Sequence, residues 1–290
     1  MRYFMLLAAA FLSAACQHSQ PENSVVDAVA KQQECTAADT VYMNADSTIC
    51  SLKIDGYKVS WIRDNASRKN NELKLFGEVP AGLIDSLGIA NGIPSSMSAV
   101  LLQCDTANVL FDAGLGMPGC LLLSSLDSLG VKAETLDRVY LTHLHPDHIG
   151  GLMANGQKVF PNAKVYVAKA EYDAWMNMPE DKNQMQVAFA KLYADNMVLF
   201  EFNDTLPVGV VALDAKGHTP GHTVFEAGKF LIVGDLFHGL ALQMAHPEFC
   251  AFYDMDPENA VKSREKFISY AKEKGSVMLG MHFPEPGFVK

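Results

Sequence analysis

Tyr140-Leu-Thr-His143-Leu-His145-Pro-Asp147-His148-Ile-Gly-Gly151 is the stretch whose reading decides the fold. A β-rich run, Asp137 to Leu141, ends just before it, so the histidines fall on a loop at the C-terminal end of a strand. Residues two apart on an extended segment point the same way, so His143 and His145 can grip one cation. Asp147 and His148 enter the next helix and face a second position. Imidazole and carboxylate together suit zinc and other borderline divalent ions.

Further out, three more motifs follow in order: Lys216-Gly-His218-Thr-Pro-Gly221-His222, Val233-Gly-Asp235 and Met281-His282-Phe-Pro284. Together with the first, they resemble the metallo-β-lactamase superfamily over about residues 55–290. That resemblance implies an α/β fold, a four-layer αβ/βα sandwich. It implies His143, His145 and His218 on a first ion, Asp147, His148 and His282 on a second, and Asp235 bridging both. His222 belongs to the surroundings of the metals by that pattern. His238 is either a pocket-facing group near them or a surface histidine. Phe111-Asp112-Ala-Gly114 fits the superfamily's Asp-x-Gly turn beneath the metals, where Asp112 can fix the tautomer of a ligating histidine. His18 and His246 are not expected as ligands.

Strand-forming runs are expected over 57–62, 99–104, 108–111, 138–141, 164–167, 197–202, 208–213, 229–233 and 277–281. Helices are expected over 121–129, 169–176, 184–193 and 257–274, the last opened by Asp256 as N-cap and Pro257 at the first helical position. Strands near both ends with helices between suit a layered α/β body rather than a bundle or an all-β barrel. Relatives in the superfamily continue past the last histidine for another strand or two, whereas this chain stops at Lys290, which reads either as a short variant or as an incomplete gene product with a weakened sheet edge.

The chain has 290 residues, 49% apolar, so it can bury a full core. Its formal net charge of −10, with no Lys/Arg-rich run, excludes nucleic acid and anionic membrane surfaces as main partners. A small-molecule substrate is expected instead, and oligomerisation stays open. Residues 1–16, MRYFMLLAAAFLSAAC, have one basic residue, a short apolar run and small residues before Cys16, the plan of a bacterial lipoprotein signal. Export to the periplasm with a lipid anchor at Cys16 is the expectation, and the membrane is met only through that anchor. Residues 17–50, rich in Gln, Ser, Asn, Asp and Ala, read as a tether and N-terminal extension, and residues 51–290 as the hydrolase domain. Cys35 and Cys50 flank a polar stretch and could form a bridge in an oxidising compartment. The absence of Cys-x-x-Cys argues against a Cys-rich structural zinc site.

Two divalent ions, zinc above all, lower the pKa of a shared water towards roughly 7, so hydroxide is available at neutral pH. The expected reaction is cleavage of an ester, lactone or phosphotriester, with Asp147 orienting the nucleophile or carrying its proton to the leaving group. Asp235 and the segment from Gly234 through Gln243, Asp254, Asp256, Arg264 and His282 are similar to methyl parathion hydrolase and lactonase-like enzymes. A class B-type β-lactamase and an iron-dependent oxidoreductase on the same fold are the competing activities, and a non-catalytic binding protein is a third reading. Phe237, Leu240, Leu242, Met244, Phe249, Phe252 and Tyr253 could build an apolar pocket or be ordinary core, and a structural salt bridge is expected for Arg264. If Cys16 carries the anchor, Cys16→Ser moves the protein from the membrane to the soluble fraction on cell fractionation; a variant that stays membrane-bound contradicts the anchor.

Overall fold

The computed structural model describes the backbone of Thr40–Met43 and all of residues 48–290. Residues 1–16 with Cys16, and Cys35 of the expected bridge, lie outside the described residues. No helix among the described residues is long and apolar enough to cross a membrane.

Two mixed sheets carry the chain. The larger has eight strands, spatially in the order Thr40–Met43, Ile49–Ile54, Tyr57–Arg63, Ser98–Cys104, Ala107–Phe111, Arg138–Tyr140, Lys164–Ala168 and Met197–Phe200. Pairing is antiparallel up to Ala107–Phe111 and parallel from there on. The second sheet orders Thr205–Leu206, Val210–Asp214, Thr223–Ala227, Phe230–Gly234, Val277–Gly280 and Phe288–Val289. The sheet therefore reaches ahead of Ser51, into the segment read as an extension, and beyond His282 the chain still adds a short antiparallel strand along Val277–Gly280.

Alternation along the strands divides the core into layers. Val59, Trp61, Val100, Leu102, Val109, Phe111 and Tyr140 face Val210, Ala212, Phe225, Phe230, Ile232 and Leu279 across the two sheets. The intervening residues Leu101, Leu110, Val139, Val165 and Val167 point the other way, onto Leu122 and Leu126 of the Leu122–Ser128 helix, Trp175 of Lys169–Met176 and Phe189 of Gln184–Leu192. Val224, Leu231 and Val233 of the second sheet cover Phe267 and Ala271 of the long Pro257–Lys274 helix. The order helix, sheet, sheet, helix is the four-layer sandwich. Asp256 caps that last helix by accepting from the Asn259 N–H, and Gly275 ends it in the left-handed region.

An excursion between Arg63 and Ser98 was not legible in the sequence. It holds the two-stranded ribbon Lys69–Asn71 with Ile93–Ser95 and the helix Ala81–Leu87, and it packs Leu75, Phe76, Leu87 and Ile93 against Leu242 and Ala251. Leu240 and Phe237 are core residues of the second sheet's outer layer, Leu242 and Phe249 pack on the excursion, and Phe252 is largely exposed. Most of the aromatic and aliphatic set after Asp235 therefore does not build a pocket, because the chain there folds into a short helix, Leu240–Gln243, whose apolar side turns inward.

Phe225 is fully buried between the sheets, with Phe111, Tyr140 and Phe200 rings 5.4–5.8 Å from its own. Phe225→Ala should cost about 3–5 kcal/mol in denaturant unfolding, and a loss below about 1 kcal/mol would show that this layer is not the packed core.

Candidate metal centre

Four loops, all at the same end of the sandwich, bring the singled-out residues together. After the Arg138–Tyr140 strand comes 142–148, with Pro146 opening a single helical turn that carries Asp147 and His148 to the second donor position, the His148 ring still only 3.9 Å from that of His143. The other three loops follow Val210–Asp214, Phe230–Gly234 and Val277–Gly280 and deliver His218, Asp235 and His282. Close backbone approach is built in: a Cβ at Gly151 would lie 1.8 Å from the Ala113 carbonyl oxygen, and one at Gly221 2.2 Å from the Glu171 nitrogen.

Two donor clusters result. In one, His143 Nε2, His145 Nδ1 and His218 Nε2 are 2.9, 2.9 and 3.2 Å apart, with Asp235 Oδ2 3.3 Å from His218 and 3.8 Å from His143. These are close to the roughly 3.3 Å edge of a tetrahedron drawn around zinc with ordinary Zn–N lengths. In the other, His148 Nε2 lies 3.1 Å from Asp235 Oδ1 and 3.9 Å from Asp147, and His282 Nε2 lies 3.2 Å from Asp235 Oδ2 and 3.7 Å from Asp147. Asp235 is common to both.

The opposite ring nitrogens are tied down, which leaves the converging ones free as ligands. His148 Nδ1 donates to Asp112 Oδ2 at 2.9 Å, His218 Nδ1 to Asp254 Oδ1 at 3.0 Å and His282 Nδ1 to the Ser96 carbonyl at 2.9 Å. Thr142 Oγ1 donates to Asp112 at 2.9 Å and so accepts from His143 Nδ1 at 3.1 Å. Asp112 holds this place in the left-handed region, at φ 58°. Arg264, buried, donates to the far oxygen of Asp254 at 3.2 Å, so its ion pair positions the carboxylate that positions His218.

Other histidines divide clearly. His222 accepts from the Asp235 N–H through Nε2 and donates from Nδ1 to the Ala215 carbonyl; both nitrogens are used, and it is a packing group rather than a ligand. His238 is buried with Nε2 3.2 Å from Asp235 Oδ2 and faces the cleft, which resolves its two readings in favour of the pocket. His218, His238 and Asp254 form a third, overlapping cluster.

Whether these residues fit a cation can be tested on the site itself. His148 Nε2 and Asp235 Oδ1 lie 3.1 Å apart but out of hydrogen-bond alignment, so both are buried polar atoms without a hydrogen-bond partner, which folded proteins rarely keep without a ligand or water. The acids Asp112, Asp147, Asp235 and Asp254 crowd around the imidazoles, and among the described residues only Arg264 pairs with one of them as a fixed cation. Burial opposes the charged form of His218, yet Asp235 and Asp254 outweigh it and push the ring up to about 9. Burial and the His218 charge press His145 down to about 3, the neutral form that binds metal. Burial opposes ionisation of Asp235 too, but His282, His148 and His238 hold it well below the usual carboxylate range. The cage calls for positive charge at its centre, and the donor set fits two divalent ions.

Sequence reading missed Glu171, which has no local motif. Fully buried, it accepts from the Leu144 N–H and Trp175 Nε1 on one oxygen and from Thr219 Oγ1 and the Gly221 N–H on the other, at 2.7–2.9 Å. It thereby staples the loop of His143 and His145 to that of His218. Its carboxyl is pushed up by burial, against which the four donors work.

The model of the metallo-beta-lactamase superfamily matches residues 93–282. The chain belongs to that superfamily. An N-acyl homoserine lactonase of Bacillus thuringiensis is 25% identical over 56% of this chain, and the match covers 61% of the lactonase. The crystal structure of the hydrolase AbOPH, of the beta lactamase superfamily, superposes with a TM-score of 0.72 at 25% identity over 88% of this chain and 93% of that one. AidC, a dizinc quorum-quenching lactonase in complex with an N-acyl homoserine product, superposes with a TM-score of 0.74 at 24% identity, over 87% and 94%.

Asp254→Asn keeps shape but trades one acceptor oxygen for an amide, so His218 loses its orienting charge. Zinc affinity measured by chelator competition should fall about 10–100-fold with the circular dichroism unchanged, and unchanged affinity would remove Asp254 from the site.

Proposed function

We propose that this chain is a metal-dependent hydrolase that holds two divalent ions, zinc suiting the donors best, and cleaves an ester, lactone or phosphotriester bond. The observation that carries this reading is the convergence of seven side chains from four loops, each with a donor atom free, on one shared carboxylate. When bound, such ions lower the pKa of a water towards about 7 and polarise the electrophile's oxygen.

The chain's own groups do the rest. Asp147 is the one acid of the cage with its side chain partly open to the cleft, at 22% exposure. Burial opposes its charge, but His148 and His282 hold the carboxyl below its ordinary range, so it is in its ionised form. It can take the proton of the attacking water and pass it to the leaving oxygen. The cleft measures about 400 Å³, with Met97, Leu115, Pro146 and Tyr253 as its apolar wall and Lys69 and Asn71 as polar groups opposite the cage. That volume suits a substrate of modest size. The similar N-acyl homoserine lactonase supports the lactone among these classes of bond, and AbOPH, a hydrolase, supports the reaction type. Export through residues 1–16 is part of the proposal and rests on sequence alone.

With zinc restored, the protein should turn over a lactone, aryl ester or phosphotriester in preference to a β-lactam in a matched panel. His143→Ala and Asp235→Asn should each lower kcat/KM by more than the roughly 100-fold upper figure for outer partners of a metal site, and full activity in either variant, or turnover confined to nitrocefin, would overturn the assignment.

A further inference from the structure

Another cavity, of about 300 Å³, shares Lys69 with the metal cleft and is lined in part by Arg63, Arg68, Ser95, Ser96 and Glu285. Arg63 ends the Tyr57–Arg63 strand and is only 6% exposed. Its Nε and Nη1 are buried and find no hydrogen-bond partner among the described residues. A buried guanidinium without a partner is costly, since its charge is desolvated and nothing replaces the water. A guanidinium matches a carboxylate or phosphate through two parallel hydrogen bonds, from Nε with Nη2 or from the two Nη atoms, so one anion would take Nη2 together with one of the two idle nitrogens.

The surroundings have the same sign. Arg68 and Lys69 add two cations against one carboxylate, Glu285, which Arg68 Nε meets at 2.7 Å from a side chain that is itself 75% exposed. Lys69 also lines the metal cleft, and Ser96, a residue of this cavity's lining, accepts from His282 Nδ1 through its carbonyl. We propose that this second cavity is an oxyanion-binding site, built on Arg63, that takes a carboxylate or phosphate group beside the metal centre. The anion is either free in solution or a substituent of the substrate whose reacting bond lies in the metal cleft; only the latter form rests on the hydrolase reading.

The test uses zinc-loaded full-length protein and inorganic phosphate at constant ionic strength, with chloride as control. Phosphate should raise the Tm of the wild type saturably. Arg63→Met should start from a higher Tm, because an unpaired buried charge is gone, and should lose the phosphate-dependent rise. Glu285→Gln, which removes the competing carboxylate, should lower the phosphate midpoint several-fold. A rise that persists in Arg63→Met places phosphate at the metals and overturns the site, as does the lack of any saturable rise in the wild type. Should Arg63→Met fail to fold, an unchanged midpoint in Glu285→Gln overturns it.

The two sources separate by kinetics. A nitrophenyl ester carrying a free carboxylate and its neutral analogue are compared in wild type and Arg63→Met. A KM preference for the anionic ester that falls about tenfold in the variant, the effect of about 1.4 kcal/mol, assigns the anion to the substrate; an unaltered preference alongside phosphate binding assigns it to free anion. If neither ester is hydrolysed, the hydrolase reading fails while the thermal measurement still decides the site.

Discussion

A fully buried carboxylate, Asp235, with four imidazole nitrogens 3.1–3.3 Å from its oxygens, is the constraint around which the rest of the structure is arranged. Taking one such charge out of water costs several kcal/mol unless opposite charge and hydrogen bonds replace the solvent. Divalent cations supply that charge, and they also satisfy Nε2 of His148 and Oδ1 of Asp235, which face each other at 3.1 Å without hydrogen-bond alignment. Around this centre, Asp112, Asp254 and the Ser96 carbonyl fix one nitrogen of each imidazole they touch, while Glu171 joins two of the loops. Ligand convergence is therefore a property of the packed sandwich and not of any one loop.

The sheets set the distances. Arg138–Tyr140 lies within the parallel half of the first sheet, and Phe230–Gly234 runs parallel to Val277–Gly280 in the second. Parallel neighbours end at the same edge, so their following loops share one rim, as ligand sites on α/β sheets generally do. The inter-sheet aromatic layer of Phe111, Tyr140 and Phe225 sits beneath that rim and keeps the two halves of the cage in register.

Much of this was legible in the chain itself, for local reasons. The spacing of His143, His145, Asp147 and His148 carries its own geometry, because a strand end and a Pro-initiated turn dictate which way each side chain points. The β-branched runs and the Asp256-Pro257 helix start were legible on the same ground. Glu171 and Arg63 were not, nor was the role of Asp254, which the family resemblance singles out without assigning one, since Glu171 and Asp254 act through partners that lie far off in sequence: Leu144, Thr219 and Gly221 for Glu171, His218 for Asp254. The apolar stretch after Asp235 misled for a related reason. Hydrophobicity there marks burial, but only packing shows that Leu242 and Phe249 turn to the excursion over 73–95 while Tyr253 alone of that set reaches the cleft.

The most direct test of the cage is anomalous diffraction at the zinc edge from crystals of the zinc-loaded protein. Two peaks are predicted, one within bonding distance of His143 Nε2, His145 Nδ1 and His218 Nε2 and the other within bonding distance of Asp147, His148 Nε2 and His282 Nε2, with Asp235 touching both. Zinc absent from these positions, or bound only elsewhere on the surface, would contradict the account.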